Sequence, residues 1–191
     1  VTPPAENDRD RWDARHMAAD DVDPAPSEFL VESAARLPTS GRALDLACGR
    51  GRNAVWLARR GFIVDAVDVS TIALAKATTL ATRHGVADRV RTIAHDLADG
   101  LPPLADAYDV VICLHFRQPD LWPAMRRLVA PGGVMLIETL ARHPSNLDVN
   151  PDFLGERDEL VAAAGGLVVE VSGRATVGKR SVDRLLARRV R

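Results

Sequence analysis

Asp45 stands four residues ahead of Gly49 in the run DLACGRGRN (45–53), and Asp68 closes the next apolar run, VDAVD (64–68). Glycines that follow a strand let the backbone approach a ligand closely, and an acid at the end of the following strand can accept two ribose hydroxyls. The chemistry such a pair supports is the holding of an adenosine-containing cofactor. A dinucleotide suits this pair poorly, because Asp45 aims a negative charge where the pyrophosphate would lie. A zwitterionic ligand carrying an ammonium and a sulfonium suits it better.

Reaction at such a ligand calls for a proton acceptor near the strand ends. His115 directly follows the apolar run YDVVICL (108–114), and a free imidazole titrates near neutrality, at roughly pKa 6.5. His143 and Glu138, after and at the end of the next apolar run, are the other candidates. Leu114-His115-Phe116 reads equally as a strand end packed beneath a loop. Arg117 is placed either to hold an anionic acceptor or to sit on the surface. His84 reads as a helix-end residue beside Gly85, and His95 as a strand residue. Cys48 and Cys113 show no CxxC spacing, and no His, Asp and Glu set has metal-ligand spacing. No metal site is expected.

The elements that must position these residues are legible in the apolar pattern. Strands are expected at 43–47, 62–67, 90–94, 108–114 and 134–138, with helices between most of them. Gly61 is placed to end the first of these helices, Ser70 to cap the next, and Pro131-Gly132-Gly133 to stop the one beginning near Pro119. Two later strands, 167–171 and 181–190, suggest a hairpin finishing one sheet edge. Ahead of the first strand, a helix over 6–19 containing Trp12 and a second over 27–37, capped by Ser27, are expected. Trp12 and His16 lie four apart on one helical face, where Trp12 either offers an aromatic surface to a sulfonium or acceptor or anchors the helix. The irregular stretch 141–153 is a second candidate acceptor wall.

Five segments together resemble the class I S-adenosylmethionine-dependent methyltransferases, and among them the small bacterial tellurite-resistance and thiopurine types. They are DLACGRGRN (45–53), VDAVDVS (64–70), HDL (95–97), YDVVIC (108–113) and LVAPGGVMLIE (128–138). The resemblance implies a Rossmann-like, doubly wound α/β fold: a mostly parallel seven-stranded sheet with an antiparallel C-terminal strand. It also implies an N-terminal helical lid over residues 1–40, on a cofactor domain of 41–191 within a single domain overall. S-adenosylmethionine is the implied cofactor and S-adenosylhomocysteine the product. Asp45, Gly49, Gly51 and Asn53 would take the methionine part, Asp68 the ribose, and Asp96 with the Leu97 backbone the adenine. Ala47, Cys48, Val69 and Cys113 would line the same site. Ala47 stands where the family usually has its first glycine, and is expected at negative φ because alanine tolerates positive φ poorly.

The implied activity is methyl transfer to a small-molecule hydroxyl, thiol or metalloid by in-line displacement. His115 or His143 would act at the acceptor, and Trp12 and Arg117 would line it. An RNA or protein methyltransferase and a non-catalytic S-adenosylmethionine-binding module are the rivals. Lys+Arg 25 against Asp+Glu 26 gives a net charge of -1 and no bulk field toward nucleic acid. The distribution is uneven, with nine acids and three bases over 1–32, and seven bases against Asp183 alone over 174–191. The polar, acidic start and the absence of a long apolar run predict a cytoplasmic monomer or homodimer away from membranes.

Overall fold

The computed structural model describes residues 8–18, 23–156 and 158–191. Strands β1 (Gly41–Leu46), β2 (Phe62–Asp68), β4 (Tyr108–Leu114) and β5 (Val129–Ala141) carry buried side chains at successive positions, so both faces of each must be covered. Helices α2 (Glu28–Glu32), α3 (Arg52–Arg59) and α4 (Thr71–Arg83) cover one face, with Phe29, Leu57 and Leu80 packed on Ala43, Val64 and Val110. The other face is covered by α5 (Trp122–Leu128) and α6 (Glu159–Ala164), with Trp122, Met125 and Leu160 packed on Leu44, Val111 and Met135. Helix α1 (Asp8–Met17) buries no side chain and lies against α4. The ends of the predicted 6–19 helix fall outside the described residues.

With β3 (Val90–Ala94), β7 (Val168–Val177) and β8 (Arg180–Arg188), the sheet order is β3-β2-β1-β4-β5-β8-β7. The first five strands are parallel, β8 runs antiparallel to β5, and β7 pairs with β8 as the expected hairpin. A two-residue β6 (Leu154–Gly155) pairs with β5 off this path, giving eight strands. The order reverses between β1 and β4, and the register Leu46↔Cys113↔Ile137 brings the carboxyl ends of β1, β4 and β5 together. That switch point is where ligands enter open α/β sheets.

Three local expectations need correction. Pro131-Gly132-Gly133 does not stop the helix: α5 ends at Leu128, and the triplet lies inside β5, where the pairing with β4 shifts register. Helix 27–37 breaks into α2 and a 3-10 turn over Ala34–Arg36, and the Ser27 side chain makes no cap bond. Ser27 donates its backbone N–H to Asn53 Oδ1 at 2.9 Å instead. Ala47 lies at φ 54°, not at negative φ. The chain must turn sharply out of β1 for the Cys48 N–H to reach the Val67 carbonyl at 3.0 Å, and this alanine takes the left-handed strain, roughly 1–2 kcal/mol.

The glycines divide their work. Gly51, at φ 77° ahead of α3, faces α4 so closely that a Cβ there would sit 2.6 Å from Ala77 Cβ. Gly49, at φ 53°, has only His16 Cε1 near such a Cβ, at 3.7 Å. Gly51→Ala is therefore expected to destabilise by about 2–4 kcal/mol, through overpacking added to left-handed strain. Ala47→Gly should change stability by less than about 1 kcal/mol, since relieved strain offsets added unfolded-state entropy. Urea unfolding of both variants tests this; equal effects would contradict the assignment of Gly51 to helix packing.

Candidate functional site

Two carboxylates meet the glycine turn, and they differ in how fully the protein satisfies them. Asp68, at the end of β2, accepts the Gly49 N–H on Oδ2 at 2.8 Å and the Ser70 N–H on Oδ1 at 2.9 Å. Ser70 in turn caps α4 by accepting the Ala73 N–H at 3.0 Å, as its sequence position predicts. Asp68 thus ties the β1 turn to the β2 end, with acceptor capacity left on both oxygens. Asp96 follows closely, because the His95 N–H bonds the Asp68 carbonyl at 3.0 Å. Its carboxylate accepts the Ala98 N–H at 2.9 Å in a turn, and Leu97 is buried beneath it. Val69 is half-buried beside Asp68.

Asp45 is buried in β1, and its Oδ2 has no hydrogen-bond partner among the described residues. Burial raises its pKa to about 8; the charge of Asp68 adds to this, while Arg52 and the Ala54 N–H oppose it. Other buried carboxylates show what full satisfaction looks like. Asp65 takes Tyr108 Oη at 2.5 Å and Arg91 Nε at 2.7 Å, and Asp183 takes a two-pronged Arg174 at 2.9 Å. Asp45 by contrast keeps an unsatisfied buried oxygen, which suits a ligand ammonium.

Both thiols are inert. Burial, together with Asp45 and Asp68, holds Cys48 well above the ordinary thiol range, and burial plus Asp45 pushes Cys113 up to about 12. Among the described residues, no cluster of three or more His, Cys, Asp or Glu could hold a metal ion.

His115 and Glu138, read from the sequence as alternatives, are brought together. Leu114 and Glu138 are register partners on β4 and β5, and the His115 N–H donates to the Glu138 carbonyl at 2.8 Å. His115 Nε2 lies 3.0 Å from Glu138 Oε1, off the line of a hydrogen bond, so that buried oxygen stays unsatisfied. His115 holds φ 64°, a left-handed conformation that loops near functional sites often store. Burial depresses the imidazole pKa; Glu138 opposes this, while Arg52 and Arg184 reinforce it. Neutral imidazole, able to accept a proton, therefore prevails at neutral pH.

Other sequence candidates are engaged elsewhere. His143 Nδ1 accepts the Ser145 N–H at 3.2 Å and contacts Ser181 Oγ at 3.0 Å, pinning the loop after β5 to β8. That network gives it a structural place in the loop. Arg117 grips Glu159 through Nε and Nη2 and the Asp152 carbonyl at 3.1 Å, so its guanidinium is not a free anion site. The Asn53 carboxamide oxygen is taken by Ser27 rather than left for a ligand. Trp12 lies between Arg11 and Arg15, 5.6 and 5.1 Å from its ring, and stacks on His16 at 6.0 Å. Its faces therefore serve α1 itself.

Sequence reasoning gave no role to Asp13 or Arg184, and saw in His16 only a neighbour of Trp12 on one helical face. Asp13 accepts Ser70 Oγ at 2.5 Å and the Ile72 N–H at 3.2 Å, docking α1 on the N-terminus of α4. No local pattern announces a bond spanning 57 residues. His16 reaches the glycine turn as described, and its pKa is lowered by burial against the opposing charge of Asp68. The i,i+4 spacing from Trp12 was the available signal.

The raised pKa of Asp45 has a signed consequence. The folded carboxyl keeps its proton up to about pH 8, whereas the unfolded one loses it near pH 4, so stability is full below about pH 4 and declines as pH rises to about 8. Asp45→Asn removes the penalty. Its melting temperature should exceed the parent's by a margin that widens from pH 5 to pH 8, at up to about 1.4 kcal/mol per pH unit. A constant margin would show that Asp45 is ionised in the folded chain.

Residues 43–133 match the model of a methyltransferase domain. A ubiquinone biosynthesis O-methyltransferase of Caulobacter sp. (strain K31) is 34% identical over 122 residues, 62% of this chain and 48% of that protein. A ribosomal RNA small subunit methyltransferase C of Alcanivorax borkumensis is 33% identical over 105 residues, covering 50% and 31%. TehB from Haemophilus influenzae shares the fold, with a TM-score of 0.72 at 19% identity over 85% of this chain and 62% of that one. The chain spans about half the length, or less, of these curated relatives. Among the described residues, no helix is long and apolar enough to cross a membrane. The switch-point site, the strand order and these likenesses agree: residues 43–133 form a methyltransferase domain, and together they support a class I S-adenosylmethionine-dependent methyltransferase.

Proposed function

We propose that the chain transfers a methyl group to a hydroxyl of a small molecule, with His115 as general base. The observation that carries this reading is the His115–Glu138 pair at the joined ends of β4 and β5, 3.0 Å apart and buried on the Glu138 side. A thiolate or metalloid anion arrives ready to attack and needs no such pair; a hydroxyl must lose its proton as it attacks. When bound, S-adenosylmethionine supplies an electrophilic methyl carbon on its sulfonium.

The chain's own residues then have defined work. Asp45 Oδ2 takes the ligand ammonium, Asp68 accepts the ribose hydroxyls, and Asp96 with the Leu97 backbone reads the adenine edge. The backbone at Ala47, Cys48, Gly49 and Cys113 lines the space between. His115 would hold the acceptor hydroxyl and take up the proton that this hydroxyl loses on methylation. Within the 1–40 segment, the described residues of α1 serve as a lid: α1 is docked by Asp13, and Arg11 bridges Trp12 and Phe153 at 5.6 Å each, spanning from the glycine turn to the acceptor loop.

The surface favours a small acceptor over RNA. Four bases in the C-terminal stretch are paired within the fold: Arg174 with Asp183, Arg180 with Asp148, Arg184 with Glu138 and Arg188 with Glu170. A docking stripe needs cations available to phosphates. The free, buried cysteines fit a reducing, cytoplasmic setting.

Asp68→Ala should weaken S-adenosylmethionine binding at least about tenfold by calorimetry, the loss of a charge-assisted hydrogen-bond pair. Unchanged affinity would remove Asp68 from the site. In a radiolabelled-methyl screen of phenols, sugars, thiols and metalloid oxyanions, label should pass to a hydroxyl compound. His115→Gln should lower that turnover about 100-fold or more while cofactor affinity is kept. Transfer to thiols alone, undiminished in the variant, would overturn the reading, and binding without any transfer would favour a non-catalytic module.

A further inference from the structure

Arg184 belongs to β8, beyond the 43–133 segment that matches the methyltransferase model, yet its side chain ends at the proposed base pair. It stands directly opposite Glu138 in the β5–β8 register, and its Nε donates to Glu138 Oε2 at 2.6 Å. The arginine side chain is 11% exposed and the glutamate 0%. Its Nη1 reaches Glu32 Oε2 at 3.1 Å, and its guanidinium lies 5.1 Å from the Phe29 ring centre. The contacts therefore run from exposed Glu32 through Arg184 to buried Glu138, and from there to the half-buried imidazole of His115.

A carboxylate buried this completely holds its charge only beside a cation. Arg184 is the cation in hydrogen-bond contact, and it occupies Oε2, which leaves Oε1 turned to the imidazole. A carboxylate oxygen 3.0 Å from Nε2, though off the hydrogen-bond line, favours through its charge a proton on that nitrogen, and so an unprotonated Nδ1. Among the described residues, Nδ1 of His115 has no hydrogen-bond partner.

We propose that Arg184 is a positioning residue, whose guanidinium keeps Glu138 an anion so that Glu138 holds His115 as the Nε2–H tautomer with Nδ1 presented to the acceptor hydroxyl. The inference rests on the assignment of His115 as base. It places a determinant of reactivity on β8, outside the 43–133 segment that matches the methyltransferase model.

The charged groups facing His115 are Glu138 from β5, Arg184 from β8 and Arg52 from α3. They make the sign of the test decisive. If Arg184 only packs, its removal takes away a nearby positive charge, and the His115 pKa rises or stays. If Arg184 maintains the Glu138 anion, its removal takes the negative charge away from the imidazole, and the His115 pKa falls.

The experiment is NMR of protein labelled with nitrogen-15 histidine, with one resonance of the five histidines assigned by its loss in His115→Gln. Expected in the parent protein is an unprotonated Nδ1. In Arg184→Met the tautomers should mix and the titration midpoint should fall, with Arg184→Lys restoring most of the parent signature. Glu138→Gln, a neutral isostere, should reproduce the Met result even where Arg184→Met fails to fold. S-adenosylmethionine affinity by calorimetry should stay within about threefold in the folded variants. A raised or unchanged midpoint with the parent tautomer in both Arg184→Met and Glu138→Gln, or in Glu138→Gln alone where Arg184→Met does not fold, overturns the proposal. The signature is read without an acceptor, so failure of the hydroxyl-transfer reading is seen separately in the methyl-transfer screen.

Discussion

A carboxylate buried without a close cation is the constraint around which this structure is arranged. Asp45 sits inside β1, its Oδ2 unsatisfied and its pKa raised to about 8. Replacing it with an apolar residue would relieve the fold, so its presence is explained by what it can meet. Directly after it the chain bends through Ala47 at positive φ, and beside Gly49 only His16 Cε1 comes near the place of a Cβ, at 3.7 Å. The opposite wall is Asp68, which fixes the turn with the Gly49 N–H and retains acceptor capacity. A ligand with an ammonium at one end and ribose hydroxyls further along satisfies both acids at once.

The rest of the sheet follows from placing that turn at the switch point. Parallel β1 and β4 side by side bring Cys113 level with Leu46, and β5 beside β4 brings Glu138 to His115. Antiparallel β8 then delivers Arg184 to Glu138 from a part of the chain with no cofactor motif. Burial gives each group a separate state: protonated thiols, a depressed imidazole and a carboxylate paired with arginine. Helix α1 is held on the N-terminus of α4 by the polar contacts of Asp13, and with no buried residue it has low intrinsic stability.

Much of this was legible in the sequence because local pattern encodes it. Near-continuous apolar runs at β1, β2, β4 and β5 specify buried parallel strands, and Ser70 and Gly61 punctuate the helices as their types require. The carboxylates around the glycine turn follow from motif order. What was not legible depends on register between distant segments. His115 and Glu138 meet only because β4 and β5 pair Leu114 with Glu138, and no spacing within either strand says so. Arg117 and His143 are suitable residue types after strands, but Glu159 and the Ser145–Ser181 network claim them. Ala47 misled because intrinsic propensity opposes positive φ, while the Cys48–Val67 bond across two strands imposes it.

The central claim is that Asp45, protonated in the cofactor-free chain, becomes the counter-ion of the cofactor ammonium. Calorimetric titration of S-adenosylmethionine at pH 6.5, in buffers of different ionisation enthalpy, measures the protons exchanged on binding. Linkage from a carboxyl with a pKa of about 8 predicts release of about one proton, abolished in Asp45→Asn. Tight binding without proton release in the parent protein would contradict it.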